Sequence, residues 1–198
     1  MSIATGLQAL RNAGFRLDAD TGTLARYASD ASLQRVVPAA VARPNSVEEL
    51  SALVDAAREA QVAITSRGAG TSIAGNAIGE GLIIDCRNLT RIAHLDPRHG
   101  AAIVEPGVVP AVLTATAAPH RLRFGPDPST VDRCTIGGMI GNNACGARAL
   151  GYGRTADNLL GLSVITGTGE RLTVADRTEA DAIAASATLS ALHRLVQA

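Results

Sequence analysis

The chain of 198 residues contains no lysine; all 18 of its basic residues are arginine. Chemistries that need an amine are thereby excluded: a Schiff-base lysine, a Walker-type phosphate loop, a kinase-type strand lysine and a Ser-Lys dyad. Tryptophan is absent as well, and two Phe and two Tyr make aromatics scarce. Charge is sparse at 18% and balanced at 18 acidic against 18 basic residues, which argues against a nucleic-acid partner, since that would want a basic face. Cys86, Cys134 and Cys145 are widely spaced and include no C-x-x-C pair, which argues against a disulfide framework and against a zinc or iron–sulfur site in this chain. No apolar run approaches the ~18 residues that cross a bilayer. Residues 1–15 lack a basic region followed by an apolar block, so no secretory signal is read. What remains is a chain 46% apolar, long enough for one sizeable core, expected to be cytoplasmic with reduced thiols.

Ile3 to Gly14 has helical spacing, and a polar stretch runs from there through Asp30. Ser46-Val47-Glu48-Glu49 reads as a capping box, with Ser46 accepting from the N3 amide and Glu49 reaching back. Val47, Leu50, Val54 and Ala57 then define the buried face of the helix that follows. Short strands are expected at Val62 to Thr65 and at Leu82 to Asp85. Pro97-Arg98-His99-Gly100 and Gly167-Thr168-Gly169 are hairpin turns, and Pro110 suits the first turn of a helix over 111–118. A tail helix is expected from Glu179 to Val196. Strands and helices mix without strict alternation, so the fold class is α+β rather than a doubly wound sheet.

Two glycine-rich stretches stand out. The first, Arg67-Gly68-Ala69-Gly70-Thr71-Ser72-Ile73-Ala74-Gly75-Asn76, comes straight off a strand. Gly68 and Gly70 permit a positive φ and close approach, successive amides form an anion nest, and Thr71 and Ser72 add hydroxyls. A tight turn between strands is the plain alternative. The Rossmann fingerprint does not fit, because another strand arrives at Leu82 with no crossover helix between. The second stretch is Pro126-Asp127-Pro128-Ser129-Thr130 and then Thr135-Ile136-Gly137-Gly138-Met139-Ile140-Gly141-Asn142-Asn143-Ala144-Cys145-Gly146. With so little side chain it lies against neighbouring backbone, as helix-packing glycines do, or against a flat ligand. One loop can grip a pyrophosphate while the other holds the rest of a dinucleotide. Arg67 approaches the phosphate or caps its strand. Arg148 and Arg154 are expected to partner carboxylates such as Asp157, and Cys134 and Cys145 to be small buried residues.

These residues resemble the FAD-binding domain of FAD-linked oxidases of the vanillyl-alcohol-oxidase, or PCMH, type. Arg67 to Asn76 is similar to that family's first FAD loop. Phe124 to Thr130, Gly137 to Gly146 and Tyr152 to Asn158 are similar to its second half, and Tyr27 to Ser32 with Pro38 to Pro44 to its beginning. The similarity covers 18–175, and its nearest branch resembles bacterial D-lactate, glycolate and D-2-hydroxyglutarate dehydrogenases, including long members with a C-terminal iron–sulfur region. The resemblance implies two α+β subdomains with FAD between them, residues 1–34 forming a helical lead-in and 35–198 the FAD domain. It places Gly68, Ala69, Gly70, Thr71 and Ser72 at the pyrophosphate, with Arg67, Gly75 and Asn76 completing that loop. Pro126, Asp127, Ser129, Thr130, Gly137, Gly138, Asn142 and Gly146 would lie along the isoalloxazine and ribityl, and Ile165 would meet the adenine. Some members tether the flavin through a His in the first loop; Thr71 stands in that neighbourhood here, so FAD is expected to be dissociable. Ala69 departs from the glycine triplet and is compatible if its φ stays negative.

The same resemblance implies a small 2-hydroxy acid substrate, oxidised to a 2-oxo acid by hydride transfer to FAD. It implies a substrate cap beyond Ala198 that would hold the catalytic residues, so the chain reads as part of an enzyme and no catalytic or metal residue is assigned within it. The location implied is the cytoplasm, including the periphery of the inner membrane. A non-catalytic flavin-binding or assembly subunit of an oxidase complex is the alternative, and a flavin-dependent reductase or aryl-alcohol oxidase of the same superfamily a third reading.

Overall fold

The computed structural model describes residues 2–174 and Ser186, so the expected tail helix from Glu179 to Val196 lies outside the described residues. Two compact units divide the chain, residues 1–158 and 159–198.

The first unit opens with α1 (Ile3–Asn12), capped by the Ser2 hydroxyl accepting from Thr5 N–H, and α2 (Thr21–Tyr27), capped in the same way by Asp20. The second helix lies in the stretch that the sequence reads only as polar. It is short, and Asp20 rather than an apolar periodicity starts it. Next come β1 (Ala40–Ala42), α3 (Val47–Glu59), β2 (Ile64–Arg67) and β3 (Leu82–Asp85). The Ser46 hydroxyl caps α3 as expected, but the Glu49 carboxylate accepts from Asn45 N–H at 2.7 Å, one residue before the position a capping box would give it. The inward face of α3 is also rotated from the expected stripe: Leu53, Val54 and Ala57 are buried, while Val47 is exposed at the helix start.

The three strands form a parallel sheet in the order β1-β3-β2, with β3 in the middle and its four residues buried. Ile83 and Ile84 are covered on both sides, worth about 1.5–3 kcal/mol each. Helix α3 makes the crossover from β1 to β2. The return from β2 to β3 uses no helix at all; the glycine-rich 68–81 segment spans it as an extended loop. A parallel return normally takes a helix, so an irregular segment here holds backbone open at the carboxyl edge of the sheet.

Beyond it, β4 (Ile92–Asp96) and β5 (Ala101–Val104) pair antiparallel across the expected Pro97–Gly100 turn. Helix α4 (Pro110–Ala117) starts on its proline. The second glycine stretch is not a loop throughout: Ile136–Asn142 is helix α5, with the Thr135 hydroxyl accepting from Gly138 N–H. Helix α6 (Ala149–Tyr152) is a single turn. Val108, Leu113, Cys134, Ile136 and Met139 form the core of this half, and the 106–108 backbone fixes the start of α5 by accepting from Ile136 and Gly137 N–H, both at 2.8 Å. The second unit contains the hairpin of β6 (Leu162–Ile165) and β7 (Arg171–Val174), with its turn at the expected glycines.

Candidate functional site

The first loop leaves β2 at Arg67, and that side chain turns back beneath it. Its guanidinium donates to the carbonyls of Ala77 and Ser29, each at 2.9 Å, and stands 5.1 Å from the centre of the Tyr27 ring. Arg67 therefore ties the two ends of the loop together rather than presenting its hydrogen-bonding edge to a ligand. Gly70 has φ +70°, and a Cβ there would collide with the Arg67 guanidinium, so glycine is required by both backbone and neighbour. Gly68 has no positive φ, contrary to the expectation; its reason is packing, because a Cβ would strike the Thr135 hydroxyl. Ala69 keeps a negative φ, as compatibility with the loop demands.

Ser72 is buried, and its hydroxyl accepts from Ala74 and Asn76 N–H at 3.2 and 3.4 Å, bending the loop back on itself. Among the described residues, the backbone N–H groups of Ala69, Gly70 and Thr71 donate to no protein group. Three successive free amides beside a glycine at positive φ are the donor set from which an anion cradle is built. The chemistry of that donor set, uncharged and closely spaced, fits a pyrophosphate.

Contacts between the two glycine stretches bring them together. Thr135, the cap of α5, sits against Gly68, and Asn76 Nδ2 donates to Asn142 Oδ1 at 2.7 Å. On α5, Gly138, Gly141 and Asn142 are exposed, and a Cβ at Gly141 would meet nothing within 4 Å. This face is flat and nearly free of side chain. Gly137 faces the other way, where a Cβ would lie 2.7 Å from Pro106 Cβ. Of the two alternatives for this stretch, some glycines thus serve packing and others leave surface open.

The 126–130 segment lies against the far end of the same stretch, since a Cβ at Gly146 would collide with the Asp127 carbonyl. Pro126 is buried, Ser129 exposed and Thr130 half-buried, its carbonyl accepting from Arg133 and Cys134 N–H. The Asp127 carboxylate accepts from Arg148 N–H at 3.1 Å and pairs with its guanidinium at 3.3 Å. Arg148 thus partners Asp127 and not Asp157, whose carboxylate takes the Arg154 backbone N–H at 2.7 Å. Cys134 is buried, and desolvation raises its thiol pKa, but Cys145 is exposed, contrary to expectation. Gly75 stands at φ +78° over Gln34. Ile165 belongs to β6 in the second unit.

The sequence reading missed an ionic cluster around a buried carboxylate beside the first loop. Asp85, at the end of β3, is 2% exposed; it accepts from Arg87 Nη2 at 2.7 Å and from the Tyr27 hydroxyl. That hydroxyl in turn accepts from Arg87 and Arg43 at 3.0 and 3.2 Å. Burial alone would raise the Asp85 carboxyl, but the hydrogen bonds from Arg87 and Tyr27 outweigh it and hold its pKa below the ordinary value. The same contacts raise the pKa of Arg87, hydrogen bonding to Asp85 being the largest cause. The available signal was positional: 43, 67, 85 and 87 all fall at or just beyond strand ends.

Comparison with known proteins identifies the family. Residues 38–175 match the family described as an FAD binding domain. The chain is 36% identical over 172 residues to a D-2-hydroxyglutarate dehydrogenase of Pseudomonas putida, covering 84% of this chain and 17% of that protein. It is 35% identical over 145 residues to the glycolate oxidase subunit GlcD of Escherichia coli, covering 72% of this chain and 29% of that protein. Among solved structures, an alkyldihydroxyacetonephosphate synthase superposes with a TM-score of 0.76 at 23% identity, over 89% of this chain and 38% of that one. The wild-type BBE-like 1 protein of Physcomitrella patens gives 0.74 at 20%, over 91% and 40%. The chain thus spans under a third of the length of the two sequence relatives named.

Proposed function

The chain belongs to the FAD binding domain family, and from that premise we propose that it is the flavin-holding part of an oxidoreductase that converts a small 2-hydroxy acid to its 2-oxo acid. The observation that carries the reading is the junction of the two glycine stretches, through Thr135 against Gly68 and Asn76 to Asn142, beside three free amides. The names of the P. putida and E. coli relatives support the substrate class, with D-2-hydroxyglutarate and glycolate as the leading members and D-lactate as a third.

When bound, FAD supplies the acceptor for a hydride from the carbon that bears the substrate hydroxyl. The chain's own residues bind and orient it. Amides of Ala69, Gly70 and Thr71 receive the pyrophosphate, while the exposed Gly138 and Gly141 of α5 give a planar ring a surface without protruding side chains. Asn142 and Asn76, already hydrogen-bonded to each other, fix the distance between these two regions. Arg67 and Ser72 hold the first loop in shape from behind.

Two measurements test the proposal. The purified chain mixed with FAD and passed through gel filtration is expected to retain the visible flavin bands; a colourless protein overturns the binding role. Glycolate, D-lactate and D-2-hydroxyglutarate, added without oxygen to the flavin-loaded protein as it occurs in the cell, are expected to bleach those bands. Absence of bleaching with all three overturns the substrate class and leaves flavin binding standing.

A further inference from the structure

Four arginines converge where the three parallel strands end. Arg43 follows β1, Arg67 closes β2, Arg87 stands two residues past β3, and Arg26 comes from the last turn of α2. With Tyr27 and Ala69 they line a cavity of about 430 Å³. Ligands of open parallel sheets collect at this carboxyl edge, where the strand-to-loop connections diverge.

The positive charge of the cavity is only partly offset. Arg87 is paired with Asp85, and Arg43 with Asp18 at 2.8 Å. Among the described residues, no carboxylate comes within ion-pairing distance of Arg26 or Arg67. The Arg26 guanidinium meets the Thr23 hydroxyl at 3.0 Å. That of Arg67 is bonded to carbonyls through Nη1 and Nη2, which engages these groups without cancelling the charge. Burial lowers the Arg67 pKa, and the opposing influence of Tyr27, Asp30 and Asp85 does not make up the difference. The Tyr27 ring, 5.1 Å from the Arg67 guanidinium carbon and 5.6 Å from that of Arg43, keeps both heads in place.

We propose that this cavity is an anion site built for a phosphate group, with the exposed Arg26 as the direct contact at its rim and Arg67 and Arg87 supplying fixed charge. It is separate in chemistry from the first loop, which offers amides. Ala69 borders both, so the phosphate has two possible sources: the phosphates of bound FAD, or a free phosphate compound beside it. For the first source alone the inference rests on the flavin reading.

Inorganic pyrophosphate is the probe, titrated calorimetrically at low salt into the flavin-free chain. Binding is expected, about tenfold weaker in Arg26→Gln, as for loss of one charge-assisted contact, and largely restored in Arg26→Lys. Arg26 is exposed and makes one side-chain bond, so circular dichroism and melting of these variants should match the parent. Repeating the titration on the FAD-loaded chain assigns the source: exclusion of pyrophosphate points to the cofactor's phosphates, and continued binding to a separate phosphate. Failure of pyrophosphate to bind, or equal affinity in the parent and Arg26→Gln, overturns the proposal. Flavin binding is read independently by visible absorbance. A chain that takes FAD but ignores pyrophosphate loses only the anion site; one that binds pyrophosphate through Arg26 but no FAD loses only the flavin reading.

Discussion

Asp85 is a buried carboxylate, so its worth depends on its partners. Its folded-state pKa is depressed, so its stabilising contribution is fully present above the unfolded value near ~3.9 and is lost as pH falls through the lower, folded value. Arg87→Ala removes the guanidinium and leaves the carboxylate with the Tyr27 hydroxyl and the backbone N–H of residue 87. We expect a loss of about 2–3 kcal/mol near neutral pH, less than for a wholly buried pair because the Arg87 side chain is 51% exposed and partly screened. Without the arginine, burial dominates and the Asp85 carboxyl takes up its proton at higher pH. The gap between parent and variant should therefore be widest near pH 7 and narrow as the pH falls through the carboxylate range. Urea unfolding at neutral and acid pH measures it, and a gap that stays constant would show that Arg87 contributes by packing and not by charge. Tyr27→Phe removes one donor to Asp85 and one acceptor for two arginines, with an expected cost of about 1–2 kcal/mol in the same assay.

The meeting of Gly68 with the cap of α5 is a property of two elements and not of either residue. Thr135→Ala removes the cap of α5 and should cost about 1 kcal/mol. Gly68→Ala forces a methyl into the Thr135 hydroxyl and should cost about 1–3 kcal/mol. In the double variant the hydroxyl is gone, so the glycine change should cost at least about 1 kcal/mol less than it does alone. Additive unfolding energies would show that the two stretches do not press on each other. What the sequence made legible follows from the same distinction. The β4–β5 and β6–β7 hairpins announce themselves through local turn residues, and the cap of α3 through Ser46. Helix α5 was hidden because glycine is a poor helix former; it is sustained by its Thr135 cap and by burial of Ile136 and Met139. The arginine cluster was hidden for another reason. Residues 26, 43, 67 and 87 are far apart in sequence and meet only because β3 enters between β1 and β2. No local pattern encodes that strand order.

At the scale of the molecule, the absence of lysine has a structural counterpart. Phosphate-directed charge is concentrated in arginines anchored by tyrosine, carboxylates and carbonyls, while the loop beside them offers neutral amides. Such a site binds by accumulated contacts and needs no covalent tether. Among the described histidines, His94 and His99 lie on the β4–β5 hairpin and His120 follows α4, whereas the first loop carries Thr71. His99 is already engaged with Asp96 at 2.6 Å, a contact that raises its pKa. FAD should therefore come off intact: acid precipitation of the loaded chain is expected to leave all the yellow colour in the supernatant, and colour in the pellet would reveal a covalent link. Reversible binding has a second consequence. A ligand that binds only the folded state stabilises it by mass action, about 2.7 kcal/mol at a hundredfold excess over Kd. The melting temperature should consequently keep climbing with added FAD after the site is nearly full, and should fall back on dialysis. A melting temperature that stops rising once FAD equals protein, and survives dialysis, would mean the flavin is locked in by something other than the contacts described.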